Sequence, residues 1–175
     1  MQDTQSYALK IHLNLKQELR QLLEKSQAEK EALKKTFQKF KQKKTKDLDT
    51  AFHVQHTKVF KKINCLDCAN CCKTTSPIFR DVDIKRISKH LRLKEKEFIE
   101  TYLRFDEDSD YVLKQSPCSF LEKDNTCSIY DFRPLACREY PHTDRKNMHQ
   151  ILDLTLKNIE ICPAVAKIVQ EIEWK

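Results

Sequence analysis

Apolar residues return along the first third of the chain with the spacing of a helix face. Ile11, Leu15, Leu19 and Leu22 recur at intervals of four, four and three, which stacks them on one side of an α-helix. Leu33, Phe37 and Phe40 repeat that spacing, and Leu48, Phe52, Val59 and Ile63 carry it through a third segment, with Asp47 placed to cap its start. The stripes are thin, and Lys, Gln and Glu fill the other faces. The pattern breaks at Ser26 and Glu29, against an uninterrupted coiled coil. A helical hairpin or an extended helical arm is the expectation for residues 1–63.

Beyond residue 63 the elements become shorter. Ser76-Pro77 marks a turn. Asp81 is placed to cap a helix over 82–91, with Ile84, Ile87 and Leu91 on one face. Residues 93–103 predict a further helix, with Phe98, Ile99, Tyr102 and Leu103 inward. Asp106 to Asp110 form an acidic loop, and residues 111–114 and Phe120-Leu121 read as short strands. Residues 151–161 fit two periods: apolar alternation at 152, 154 and 156 favours a strand, while the length allows a helix. Residues 163–173 predict a helix, with Pro163 in its first turn and Val165, Ile168, Val169 and Ile172 on one face.

Composition sharpens this picture. Glycine is absent from the 175 residues, where an average chain would carry about twelve. Tight turns must then use Asn and Asp, as at Asp124-Asn125 and between Asp144 and Asn147. Every glycine-based phosphate cradle is excluded, and with it P-loop or Rossmann nucleotide binding. Residues 1–63 hold 15 Lys/Arg against 7 Asp/Glu, whereas residues 64–175 hold 18 against 19. All eight cysteines lie in the second part. Two regions follow, a basic helical arm over 1–63 and a cysteine-rich domain over 64–175. Met1 to Ser6 is polar and no apolar run reaches membrane-span length, so the expected location is the cytoplasm, without a membrane partner.

The cysteines follow a fixed spacing. Cys65, Cys68, Cys71 and Cys72 read C-x2-C-x2-C-C. After 45 residues come Cys118, Cys127 and Cys137 as C-x8-C-x9-C, and after a further 24 comes Cys162-Pro163. Four thiols in eight residues are too many for core filler. In a reducing compartment such spacing reads as metal binding before disulfides. Thiolates suit zinc and iron–sulfur clusters alike, and C-x2-C-x2-C with a distant Cys-Pro echoes a bacterial ferredoxin pattern. Successive side chains diverge along a chain, so the Cys71-Cys72 pair is expected to serve two centres or to include one non-ligand. The partition of the eight thiols stays open at this level.

"CLDCANCC", "CSFLEKDNTCSIYDFRPLACREYP" and "ICP" together resemble the CxxCxxCC (YkgJ-like) family of zinc- or iron-chelating domains over about residues 62–170. The resemblance implies all eight cysteines as ligands, and an iron–sulfur cluster or zinc as cofactor. The family commonly has glycine just after its second cysteine, where this chain has Ala69; Asn70 is expected to supply the left-handed residue instead. The cysteine pattern is also similar to that of flagellin lysine methylase, but this chain is far shorter and shows no methyl-donor site, so that activity does not transfer.

Around the thiols, Arg133 and Arg138 are candidate cofactor-binding residues that donate hydrogen bonds to thiolates. The plainer reading places Pro134 at a first helical position, with its arginine at the surface. Tyr130 and Tyr140 read as packing residues. His142 is a reserve ligand, and the other histidines (12, 53, 56, 90 and 149) read as solvated or capping. The run Lys34 to Lys46 has seven lysines with Phe37 and Phe40. It reads as a solvated helix face with inward Phe residues rather than a nucleic-acid site, since lysine without arginine is a poor base reader.

The fold class is therefore mainly α: a helical N-terminal arm plus a small metal-stapled α-rich domain with a few short strands and irregular loops. The function indicated is metal binding, with a structural or electron-transfer role. Two other functions stay open: an enzyme using an under-coordinated metal or a spare thiolate such as Cys72, and an adaptor whose N-terminal helices bind a protein or nucleic acid. No open ligand position or acid/base pair is legible, so the reading leans away from an enzyme.

Overall fold

The computed structural model describes residues 17–173, and the protein is mainly α-helical. Ile11, His12 and Leu15 lie outside the described residues. Two compact units divide the described chain, one from residues 17–68 and 141–173 and the other from residues 69–140. The division follows packing rather than the charge boundary at residue 63. Among the described residues, no helix is long and apolar enough to cross a membrane.

In the first unit, helix α1 covers residues 17–28, followed by α2 (Lys30–Lys41) and α3 (Thr45–Phe60). Ser26 is fully buried, and its Oγ donates back to Leu22 O at 2.8 Å. The helical path then breaks at Glu29, where the apolar stripe also breaks. Leu33, Phe37 and Phe40 on α2 meet Leu48, Phe52 and Val59 on α3. The Phe40 and Phe52 rings pack edge to face with centroids 5.7 Å apart, a favoured geometry for aromatic pairs. Phe37 and Phe40 are 2% and 1% exposed, so the two aromatic rings of the lysine-rich run belong to the core and are not available to stack bases.

The same core takes in α9 (Leu152–Ile159) and α10 (Pro163–Glu171). The stretch 151–161 is thus a helix over Leu152–Ile159 and not a strand, preceded by a 3-10 turn over Met148–Ile151. Leu152, Thr155 and Ile159 are buried, and the apparent two-residue alternation reflects the exposed Leu154 and half-buried Leu156. Pro163 takes the first helical position as expected. Polar ties pin the segment before α9 to α3. Asp49 accepts from the amides of Asn147 and Met148, each at 2.8 Å. His53 Nε2 pairs with Arg145 O at 2.8 Å, and His56 Nδ1 with the buried Thr143 Oγ1 at 2.8 Å. Asp49, His53 and His56 follow helical spacing, so α3 buries one stripe in the core and holds a loop with another.

In the second unit, α5 (Asn70–Thr74) leads into α6 (Asp81–His90) and α7 (Glu95–Tyr102). A two-stranded antiparallel sheet follows, β1 (Leu103–Phe105) and β2 (Tyr111–Leu113), with Leu103 opposite Leu113. The acidic loop is its connection: Asp106 Oδ1 accepts from the amides of Asp108 and Asp110 at 3.0 and 2.9 Å. Leu121 and Cys127 form an isolated antiparallel bridge, the remnant of the strand expected at Phe120-Leu121. Phe79, Ile84, Ile87, Phe98, Leu103, Leu113, Phe120 and Ile129 make the core. A fully buried Phe or Ile of this kind contributes roughly 1.5–3 kcal/mol.

Three caps differ from expectation. Lys44 is the N-cap of α3, and Asp47 sits in the first turn, where its charge suits the helix dipole. Arg80 is the N-cap of α6, and Asp83 rather than Asp81 reaches back to its amide at 3.2 Å. Pro134 is the N-cap of α8 (Leu135–Glu139), one residue earlier than expected.

Without glycine, positive φ falls on Ala69, Arg92, Ser109, Asn125, His142 and Asn147 among the described residues. The left-handed residue of the cysteine loop is Ala69 at φ 49, and Asn70 instead opens α5. Arg92, at φ 58, ends α6: Arg92 N donates to Lys89 O at 3.2 Å and Leu93 N to Ser88 O at 2.9 Å. These are the two bonds of a Schellman cap, whose left-handed position favours glycine. Arg92 is exposed, so replacing it forfeits no packing. Arg92→Gly is expected to raise stability by about 1 kcal/mol, read as a higher denaturant midpoint at unchanged slope.

Candidate metal centre

In the first unit, α4 (Cys65–Cys68) is a single helical turn. It places Cys65 and Cys68 three residues apart on one side. Cys162 is the N-cap of α10. Burial pushes its thiol up to about 11, and the charges of Cys65 and Cys68 push the same way. The amides of Val165 and Ala164 face its sulfur and favour the thiolate, although no side-chain cap bond closes. A helix N-terminus suits a negative sulfur.

The second unit brings together the others. α5 carries Cys71 and Cys72, whose Sγ atoms are 3.9 Å apart. This corrects the expectation of diverging thiols. In a helix successive side chains turn by about 100° rather than the 180° of a strand, and that keeps both sulfurs on one side. The segment from Leu113 to Cys118 is strapped to the end of α5 and the loop after it. Cys118 N donates to Cys72 O at 2.8 Å, Ser116 Oγ to Lys73 O at 2.8 Å and Leu113 N to Ser76 Oγ at 2.7 Å. Cys127 follows a tight turn in which Asn125 takes φ 68 and Asp124 Oδ1 accepts from Thr126 N and Oγ1 at 3.0 and 2.7 Å. Cys137 lies on α8.

The thiols of this unit sense one another. The hydrogen bond with Cys71 draws Cys72 down to about 7; burial opposes, and the Lys73 ammonium assists. Burial pushes Cys137 up to about 12, followed by the charges of Cys72, Cys118 and Cys127. Burial also raises Cys118 and Cys127, and Cys72 adds to both. Several thiolates in one half-buried place repel unless a cation joins them. Without a metal, raised values mean that Cys137 and Cys162 favour the fold as protonated thiols up to about pH 9, and oppose it as pH rises toward 12 and 11. A metal reverses that sign, because it takes only thiolates.

Of the two arginines, Arg133 faces the thiols of Cys127 and Cys137. The Arg133 charge lowers Cys127 and Cys137, after the larger effects of burial and neighbouring thiols. Its guanidinium lies 3.8 Å from the Tyr130 ring centre, and Nη1 donates to Tyr130 O at 2.7 Å. Arg138 is exposed on α8. His142 is half-buried at φ 65, and His90 stacks on Phe132 with centroids 3.9 Å apart.

Two residues that hold this unit, Asp83 and Arg86, stand outside the predicted site residues. Asp83 is fully buried, and Arg86 Nη2 donates to its Oδ1 at 2.7 Å. Burial pushes the Asp83 carboxyl up, but bonds from Arg86, Arg80 and the Leu135 amide outweigh it and leave it lowered. Asp83 lies four residues before Ile87, on the apolar face. A polar residue on that face was the available signal.

The family model of CxxCxxCC, a "putative zinc- or iron-chelating domain", matches residues 64–163, more than half of the chain. The chain belongs to this family. No curated protein and no solved structure matches it. The matched stretch of this CxxCxxCC protein holds all eight cysteines, so it is a metal-binding protein. The donors fit such a role: they are soft thiols, partly buried and mutually repelling. Among the described residues no group of three His, Cys, Asp or Glu side chains is placed to hold an ion. Because Cys72 is drawn down to about 7 while burial raises Cys118, Cys127 and Cys137, zinc added at pH 7 is expected to release roughly three to four protons if it takes these four thiols. Calorimetry in buffers of different ionisation enthalpy would count them; release near zero would exclude thiolate ligation.

Proposed function

We propose that this CxxCxxCC protein holds its metal with cysteine thiolates alone, and that Cys72, Cys118, Cys127 and Cys137 form one four-thiolate centre. The observation that carries this reading is the placement of these cysteines in one compact unit, with the Cys118 amide bonded to Cys72 O at 2.8 Å; the charges of Cys72, Cys118 and Cys127 that push Cys137 up agree with it. Cys71 adjoins them, and Cys65, Cys68 and Cys162 form a further set in the other unit. The preferred occupant is an iron–sulfur cluster, on the all-thiolate donors; the C-x2-C-x2-C spacing with a distant Cys-Pro belongs to other cysteines and does not bear on these four. Zinc is the second reading. Four thiolates are also the closed ligand set of a structural tetrahedral zinc. The Cys-Pro pair also has a purely structural reason, since Pro163 starts α10.

The role that fits is structural or electron-carrying. When bound, the metal neutralises the thiolates and joins segments whose own core is small; an iron–sulfur cluster would in addition hold an electron. Arg133 would support the negative charge from beside Cys127 and Cys137. Anaerobic purification followed by iron, zinc and sulfide analysis tests the reading. A brown protein absorbing near ~400 nm with matching iron and sulfide indicates the cluster, and a colourless protein with zinc indicates the second reading. A chain with neither metal and with its thiols paired as disulfides would overturn both.

A further inference from the structure

Helix α8 is only five residues long, Leu135–Glu139, and has no capping side chain of its own. A helix of that length does not persist in isolation. Its N-cap, Pro134, lacks an amide hydrogen and is buried, and a 3-10 turn, Tyr130–Phe132, ends just before it, with Arg133 between. Yet Cys137 sits at the third position of this helix, with its amide donating to Pro134 O at 3.0 Å. Something outside α8 must fix where it starts.

That support comes from α6. Asp83 Oδ1 accepts from Leu135 N at 3.2 Å, so a residue 52 positions away caps α8. Arg86 grips the preceding two carbonyls: Nε and Nη2 donate to Phe132 O at 3.3 Å each, and Nη2 to Arg133 O at 3.0 Å. The pair is itself locked. Arg86 Nη2 meets Asp83 Oδ1 at 2.7 Å, and Asp83 Oδ2 takes the Arg80 amide at 3.2 Å and its Nε at 3.3 Å. The forked guanidinium can hold two carbonyls and one carboxylate together; an ammonium presents a single point. Ile84 and Ile87 anchor α6 in the core on the same buried face.

We infer that Asp83 and Arg86 are positioning residues for the metal centre: they brace the Phe132–Leu135 turn from α6 and thereby set the place of the Cys137 sulfur. The inference rests on the four-thiolate reading above. Outer supports of metal ligands are worth about 10–100-fold in affinity, and here the support is main-chain capping at a distance rather than a bond to the sulfur.

Zinc(II) competition against a chromophoric chelator, on the full reduced chain, tests it. Arg86→Lys keeps the charge beside Asp83 but loses the fork, and Arg86→Gln keeps hydrogen bonding without the charge. Both are expected to weaken zinc about 10–100-fold. In the zinc-loaded variants, alkylation mapped by mass spectrometry is expected to reach Cys137 first and several-fold faster than in wild type, with Cys162 unchanged. General destabilisation would instead speed all eight cysteines together. Wild-type zinc affinity in both variants, or uniform speeding of alkylation, would overturn the brace. A wild-type chain that took no zinc and also purified anaerobically without iron would refute the four-thiolate reading itself, a different result from a variant that differs from a zinc-binding wild type.

Discussion

Removal of the metal from the intact, reduced chain should unfold residues 69–140 and leave the core of α2, α3, α9 and α10 standing. The second unit has eight buried apolar residues in its core cluster, against sixteen in the first, among the described residues. A core in a unit near 70 residues rarely supplies more than ~3–5 kcal/mol. Structural zinc on a thiolate set contributes on the order of 10–16 kcal/mol at neutral pH. The metal term is therefore larger than the core term, and its loss exposes thiols that repel once ionised. Hydrogen exchange with and without a strong chelator reads this directly. Protection should vanish across α6, α7 and the β1–β2 pair and persist in α3 and α10. Equal protection of the second unit in both states would show that its apolar core suffices.

The second large effect is expected at Asp83. Asp83→Ala on the metal-loaded chain should cost about 3–5 kcal/mol, the usual loss when one partner of a buried ion pair is removed. The loss has several parts. Arg86 keeps its charge without its carboxylate, and the amides of Arg80 and Leu135 lose their acceptor. The sign of the pH effect follows from the lowered carboxyl. A depressed folded value contributes stability above the unfolded pKa and loses it as pH falls through the folded one. The Asp83 contribution is thus intact throughout the neutral range, and the Ala variant should show its full deficit at pH 7 in a denaturant titration. A deficit below ~1 kcal/mol, the level of an exposed pair, would mean that the network adds nothing.

Much of the fold was legible in the chain because apolar spacing is a local signal. The stripes at Leu33, Phe37 and Phe40 and at Leu48, Phe52 and Val59 do form the buried faces of α2 and α3. The helix expected over 163–173 forms over Pro163–Glu171, with the Pro163 start as expected. Residues 151–161 were ambiguous because Leu154 is apolar yet exposed, and exposed leucine carries no mark in a sequence. The caps were misplaced by a few residues for a related reason: Asp81 and Asp83 are alike as letters, and only the direction of the chain before α6 decides which carboxylate meets the Arg80 amide. Ala69 could not be foreseen as the left-handed residue, since nothing in an alanine announces positive φ.

By itself the sequence determined the class of this CxxCxxCC protein: a mainly helical, metal-binding chain with eight soft thiols and without glycine loops for phosphate. Residue type and near-neighbour spacing suffice for that, because softness of a donor and the period of a helix are local properties. The tertiary structure alone decided that the first helices share a core with the last, and that Cys71 and Cys72 present their sulfurs on one side. It alone showed that a carboxylate on α6 caps a helix 52 residues further on. Those outcomes depend on which distant surfaces exclude water together and on where buried polar groups find partners, and neither is encoded at any single position.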